Sequence, residues 1–530
     1  MHRSSRLNFL PTGRKCRKVF SVDKRIQTIL GSLRTQGVQV SGLATDSRQI
    51  AAGEVFLAWP GAKLDGRAHV AEAVSRGAAA VLWERDGFEW NPDWRAPNLA
   101  VEGLRDLAGP LAHEVYGRPS EKIWTMGVTG TNGKTSCTQW LAHASSDCGA
   151  RTAVIGTLGL GFPGETLDAT VNTTPDPVLL HKTLATLHAR GAQGVAMEVS
   201  SIGLDQGRVN GVHFGVALFT NLSRDHLDYH GDMERYAAAK QKLFTMRGLR
   251  HAVLNMDDVQ GVGIARQLSG GSVNRAGYSI HPGAASRAGL ECWIEAHDIV
   301  VTPRGLAFKV RSSWGPGEVR NHALLGRFNV SNLLGVLGTM LVSGVPFDRA
   351  LAALGHIGPP PGRMQRIGGG ALPLVVVDYA HSPDALEQAL ATLADVAHEG
   401  GGRLWCVFGC GGGRDRGKRA MMGAVASRSA DRVVVTSDNP RGEEPAAIIA
   451  DVLAGMHADS AHSIVTEPDR ARAIALAIGE AGVGDVVLLA GKGHEDYQEI
   501  GGRRLAFSDL VAAQECLQAG KAAMPPRGAA

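Results

Sequence analysis

The sequence predicts an α/β protein of three units built on mostly parallel sheets, and three observations carry that prediction. At 530 residues the chain is long enough for about three domains of ~150 residues each. Short, nearly continuous Val, Leu and Ile runs recur, each followed by glycines or polar residues and then a helix-like stretch: "IWTMGVTG", "TAVIGT", "GVAMEVSS", "GVALFTNLS", and later "PLVVVDYAH", "LWCVFGCGG", "RVVVTSDNP" and "DVVLLAGKG". Runs of this kind are strands buried on both faces of a parallel sheet. The three prolines Pro359 to Pro361 cannot continue a helix and form a stiff connector between the two clusters of strands.

These signals divide the chain into a basic extension at 1–22, a first unit at 23–118, a central unit at 119–355 and a C-terminal unit at 356–530. The extension carries Arg3, Arg6, Arg14, Lys15, Arg17 and Lys18 without an acid, which accounts for the net charge of +4. It reads as disordered, with a transit peptide or a nucleic-acid arm as alternatives. The last residues, "KAAMPPRGAA", read as a frayed tail. The densest apolar run, "LLGVLGTMLVSGV", is too short and too interrupted to span a membrane. The seven cysteines are scattered, without a C-x-x-C pair, as in a protein of a reducing compartment. The expectation is a cytoplasmic monomer acting on small molecules, with no nucleic acid bound and no membrane span.

In parallel sheets ligands gather at the carboxyl ends of the strands, and there the sequence places Lys134, Glu198, Asn221, Asp378, His381, Arg414, Asp438 and Lys492. "GVTGTNGKTS", Gly127 to Ser136, runs from a strand into a helix. Gly130 and Gly133 let backbone amides of Thr131 and Asn132 turn toward phosphate, Lys134 adds a point charge, and Thr135, with Ser136 behind it, offers an oxygen to Mg²⁺. Val128 stands where a common phosphate loop has its first glycine.

That displaced glycine resembles the ATP loop of the Mur ligase family, the amide-forming synthetases of peptidoglycan assembly, and the resemblance runs from about Thr45 to Gln498. It implies a small N-terminal UDP-binding α/β domain, a central P-loop ATPase domain and a C-terminal Rossmann-like domain. It also implies an ATP-dependent acid–amino-acid ligase with ATP as cosubstrate and two Mg²⁺ ions. The expected reaction adds meso-2,6-diaminopimelate to the D-glutamate of UDP-N-acetylmuramoyl-L-alanyl-D-glutamate through an acyl phosphate.

The residue roles follow from the same resemblance. In "TDSR", Ser47 would meet the uridine nucleotide. In "NTTPDP" and "MEVSSIGLDQGRV", Asn172, Thr173, Thr174, Ser200, Gln206 and Arg208 would hold the muramoyl dipeptide. Glu198, His226 and Lys240, the last as N6-carboxylysine, would join Thr135 around metal. Taken alone, Lys240 would be a solvated helix residue, and His226 with His230 could be an i, i+4 metal pair; His230 is assigned a structural role. Asn329 of "LLGRFNVSN" would meet adenine, and in "VVVDYAHSPDAL" His381 would sit near the transferred phosphate and Asp378 near metal or water. "FGCGGGRDRGKR" reads as a second anion loop bearing Arg414, Lys418 and Arg419. "DNPR" is the diaminopimelate selector: Asp438, Asn439 and Arg441, completed by Arg414, Gly491 and Glu495. An L-lysine-adding or folate-glutamate ligase and a non-catalytic ATP-binding regulator are the other readings. The selector, the "TDSR" unit and the intact Lys134, Glu198, His226 and Lys240 respectively oppose them.

Overall fold

The computed structural model describes residues 22–61, 64–456 and 464–523. The basic extension therefore lies outside the described residues except for Val22, which opens the helix Val22–Thr35, as does the end of the tail from residue 524.

The first sheet has four parallel strands in chain order, Gly42–Ala44, Glu54–Ala58, Ala80–Glu84 and Asn98–Val101. Helices Val22–Thr35 and Leu104–Val115 pack Leu30, Leu33, Leu107 and Leu111 against it. A second layer is aromatic: Trp83, Phe88, Trp90 and Trp94 stack or meet edge to face.

The second sheet has ten strands, and its topology matters for function. Trp124–Thr129 lies between Gly194–Glu198 and Val216–Phe219, both parallel to it. The strand that follows it in sequence, Thr152–Gly156, lies beyond Gly194–Glu198. Successive strands thus depart from Trp124–Thr129 in opposite directions, and the crevice opens at such a switch point. Every residue of Thr152–Gly156, Gly194–Glu198 and Val216–Phe219 is buried, as expected of strands covered on both faces. The run from Leu333 lies in the helix Arg327–Val342, which is buried almost throughout. No helix among the described residues is long and apolar enough to cross a membrane.

One part of this sheet goes beyond the parallel pattern. Cys292–Thr302, Gly305–Ser312 and Gly315–Asn321 form an antiparallel meander at its edge. In Gly305–Ser312 buried Phe308 and Val310 alternate with exposed Lys309 and Arg311, the signature of a sheet wet on one face.

The third sheet has six strands, with Val486–Ala490 between Leu374–Asp378 and Leu404–Phe408. Its strand ends carry Asp378, Gly409, Asp438 and Gly491. Arg470 and Asp509, both side chains fully buried, form a two-bonded ion pair at 2.7 Å. Arg470 also donates to the carbonyls of Ser437 and Ala490, fastening the two loops that carry "DNPR" and "AGKGHEDY".

Removing one partner of such a pair leaves an uncompensated buried charge, at about 3–5 kcal/mol. Arg470→Leu should therefore lower the urea midpoint of the C-terminal unit by that equivalent. Adding Asp509→Leu should restore most of the loss.

Candidate active site

The carboxyl ends of the second and third sheets face each other across a cleft of about 1430 Å³. Its walls include the phosphate loop, residues 157–159 and 169–173, the start of the helix Arg327–Val342, the proline connector and the strand ends of the C-terminal unit.

The phosphate loop is shaped by crowding. A β-carbon on Gly130 would collide with the Thr220 hydroxyl, and one on Gly133 would press on the Asn332 amide oxygen at 2.5 Å. Both have positive φ, at 152° and 86°, so glycine serves conformation and space together. Gly133 precedes the helix Lys134–Asp147, whose positive end faces the cleft. Lys134 Nζ donates to the carbonyls of Gly130 and Thr131 at 3.0 and 2.9 Å. Burial lowers its pKa, against the attraction of Glu198 and Asp225.

Glu198 ends its strand 1% exposed. Its carboxylate accepts from Thr135 Oγ1 at 3.0 Å and from the Thr157 amide and hydroxyl at 2.8 and 3.1 Å. Gly156 makes room for it, since a β-carbon there would overlap the carboxylate. Among the described residues no cationic side chain lies within ion-pair distance of Glu198. A buried carboxylate facing only neutral donors, beside a threonine hydroxyl, is a donor set that fits a hard cation such as Mg²⁺. Lys240 Nζ, 1% exposed overall, donates to the Gly130 carbonyl at 2.6 Å and sits over the Tyr236 ring. Burial, with Lys134 nearby, holds its pKa well below the usual lysine range.

Asp225 is the hub between the units. Its Oδ2 lies 3.5 Å from His226 Nε2 and 3.4 Å from His381 Nε2, and its Oδ1 3.6 Å from Lys418 Nζ. Burial alone would raise its pKa; the bond from His381 and the charges around it reverse the sign and hold the carboxylate ionised. His381 Nδ1 donates to the Tyr379 carbonyl at 2.7 Å. Burial lowers the His226 pKa despite Asp225, and its φ of 54° marks the sharp turn that presents the ring. Around this hub Arg224 pairs with Asp415, Arg414 with Asp228, and Asn132 with Asp384. Arg363 donates to Thr135 Oγ1 at 3.1 Å and lies over Tyr379. Trp140 of the phosphate-loop helix donates to the Gly358 carbonyl at 2.8 Å, which fastens the proline connector to that helix.

Deeper in the C-terminal unit, fully buried Lys492 lies 3.2 Å from Asn439 Oδ1, 3.1 Å from Glu495 Oε2 and 3.6 Å from Asp438 Oδ1. Asn439 Nδ2 donates to Glu495 at 2.8 Å. Arg441, at a φ of 55°, donates to the Gly412 carbonyl and lies 3.5 Å from Glu499.

The cleft gathers most residues singled out from the sequence, with instructive exceptions. Ser47 is buried against Glu72 at 2.7 Å and does not line it. Thr174 and Gln206 stand behind the wall: Thr174 bonds Ser200 and the Glu198 carbonyl, and Gln206 clamps Arg208. Gly130 shapes the loop from within. Asn329 faces the cleft, with its amide donating to the Leu325 carbonyl and its oxygen accepting from Asn332. Arg419 is no anion ligand: fully buried, it is held by Glu443 and Asp451. His230 bonds Ser201 at 3.0 Å. Asp225, Arg363 and Asp384 went unnoticed in the sequence, although Asp225 adjoins His226 and Arg363 follows the prolines.

Fold and cleft define a phosphate-loop enzyme that works where two parallel sheets meet. Family models agree: the Mur ligase family catalytic domain matches residues 39–116, the Mur ligase middle domain 128–340, and the Mur ligase glutamate ligase domain 362–493. The UDP-N-acetylmuramoyl-L-alanyl-D-glutamate–2,6-diaminopimelate ligase of Chromobacterium violaceum is 51% identical over 92% of this chain and 96% of its own. The ligase of that name from Neisseria meningitidis serogroup A is 50% identical over 88% and 93%. A solved structure of a ligase so named matches with 36% identity and a TM-score of 0.64, covering 91% of this chain and 95% of that one. The MurF ligase of Thermotoga maritima in complex with ADP, 18% identical, shares the fold at a TM-score of 0.61, over 91% and 99%. The chain belongs to the Mur ligase family and is an ATP-dependent ligase.

Truncating one member of a buried charge cluster costs about 2–5 kcal/mol. Asp225→Asn should therefore lower turnover by roughly 30-fold or more, measured as ADP release at saturating substrates.

Proposed function

We propose that this chain joins meso-2,6-diaminopimelate to the D-glutamate of UDP-N-acetylmuramoyl-L-alanyl-D-glutamate, in the cytoplasm, as a monomer. The observation that carries this reading is the selector in the cleft, where Arg441, Asn439 and Glu495 stand at the strand ends opposite the phosphate loop. The far end of diaminopimelate carries an amine and a carboxylate. Arg441 offers a planar fork to that carboxylate, and Asp438 and Glu495 suit the amine. L-Lysine would bring an ammonium toward Arg441 in place of the carboxylate that its guanidinium fork fits.

The acceptor's glutamate carboxylate attacks the γ-phosphorus of ATP, ADP leaves, and an acyl phosphate forms. The amine of diaminopimelate then attacks the acyl carbon, and phosphate departs from the tetrahedral intermediate. Residues Gly130 to Ser136 cradle the phosphates, whose oxygens take Lys134 Nζ from the loop carbonyls. Arg208, with Asn172, Thr173 and Ser200, holds the anionic acceptor, while Thr174 and Gln206 position that wall. Asn329 borders the adenine. His381, held by Tyr379 and Asp225, stands near the transferred group, and Asp378 orders the connector through the Met364 amide at 2.7 Å.

Two Mg²⁺ ions would be held by Thr135, Glu198, His226 and Lys240, and would offset the charge shared by carboxylate and phosphates. An ammonium cannot join such a set, whereas a carbamate can. Burial favours the neutral amine of Lys240, the form that adds carbon dioxide, so the modification forms at a lower pH than at an ordinary lysine and is lost as pH falls and the amine protonates. The C-terminal unit swings to close on the substrates, with the "GPPPGR" connector near the hinge.

Turnover with meso-diaminopimelate should exceed that with L-lysine by ~30-fold to several thousand-fold, and Arg441→Ala should abolish this preference. Equal use of lysine by the wild type would overturn the selector. Protein equilibrated with ¹³C-bicarbonate at pH 8 should show one carbamate carbon by NMR that is absent in Lys240→Arg.

A further inference from the structure

A second group of convergent side chains lies outside the cleft, where the first unit meets the central one. His113 comes from the helix Leu104–Val115, Glu121 from the turn Pro119–Glu121, and His213 from the segment before Val216–Phe219. His113 Nε2 lies 3.3 Å and His213 Nε2 3.9 Å from the same oxygen, Glu121 Oε1. The three donor atoms all lie within 4.8 Å of one another. None of the three residues lines the cleft.

The surroundings hold the imidazoles in place. The two rings stack at 5.0 Å with 15° between planes, which brings their Nε2 atoms to the same carboxylate. Behind them the Ser120 hydroxyl accepts the His213 amide at 3.0 Å and lies 3.5 Å from His113 Nδ1. A ligating histidine uses its other ring nitrogen in this way, to fix tautomer and orientation. His181 packs edge-on against His113, its Nε2 directed at the Asn210 carbonyl at 3.1 Å. The Glu121 side chain is 40% exposed, so water can complete a coordination sphere.

We propose that His113, Glu121 and His213 form a binding site for a divalent transition metal, Zn²⁺ by its donor set, that ties the first unit to the central one. Two imidazoles and one carboxylate match zinc, and three protein ligands leave a fourth position for water. Bonds of ~2.0–2.1 Å in a tetrahedron place donors about 3.3 Å apart. The His113–Glu121 spacing already has that value, and rotation of exposed Glu121 and half-buried His213 supplies the remaining closure. The metal crosslinks three chain segments remote from the reacting atoms, so its role is to stiffen the joint.

The test is a Co²⁺ titration of full-length, chelator-treated protein in excess Mg²⁺, which would compete for the cleft. One equivalent of Co²⁺ should produce the visible absorption of a four-coordinate nitrogen and oxygen site, displaced by Zn²⁺. His213→Asn and Glu121→Gln should each weaken binding at least tenfold, with melting curves in the absence of metal and turnover unchanged. Zn²⁺ should raise the melting temperature of the wild type alone. If His213→Asn melts lower without metal, Glu121→Gln decides the comparison. Absence of the absorption, or variants that bind as the wild type does, would overturn the site and leave a histidine stack that only packs.

Discussion

The strand Trp124–Thr129 is the constraint on which the rest of the site depends. Its neighbours run on in opposite directions, so the three strand ends around it open onto one gap. The phosphate loop, Glu198 and Asn221 are set in that gap by topology before any side chain is chosen. The third sheet repeats the device around Val486–Ala490, and the cleft is what remains when two such openings face each other. Chemistry that needs a nucleotide, an acceptor and an incoming amine together thus finds them on rigid strand ends, which locate groups better than long loops do.

Between the two openings, charge takes over from topology. Asp225 is buried and ionised because His226, His381 and Lys418 converge on it from both units. A carboxylate in that place without those partners would be forced toward its neutral form. The Glu198 carboxylate shows the complementary case, held by hydroxyl and amide donors with no cationic side chain within ion-pair distance among the described residues.

Much of this was legible in the sequence because parallel strands and glycine loops leave local signatures. The eight apolar runs and the loop around Gly130 are encoded within a few residues each, and the structure places them in sheets with their polar ends in one cleft. What escaped depends on distance in the chain. Nothing near Asp225 announces that His381 and Lys418 will reach it, and nothing near Arg419 announces Glu443 and Asp451, so a cation in a glycine-rich loop read as a ligand. The antiparallel edge was hidden for another reason: its period-two pattern is diluted by Gly305, Gly315 and Gly317. Ser47 shows that a short polar turn can fold against its own unit, here Glu72.

The contacts between the central and C-terminal units are of two electrical kinds. The Asp225 side chain is 8% exposed and is screened less by dissolved ions, whereas Arg224 and Arg414 are 41% and 50% exposed in their pairs and feel the ionic atmosphere. The joint therefore has a fixed pivot and an adjustable rim. Dissolved salt weakens the rim pairs first, while the contacts to Asp225 hold the two units together.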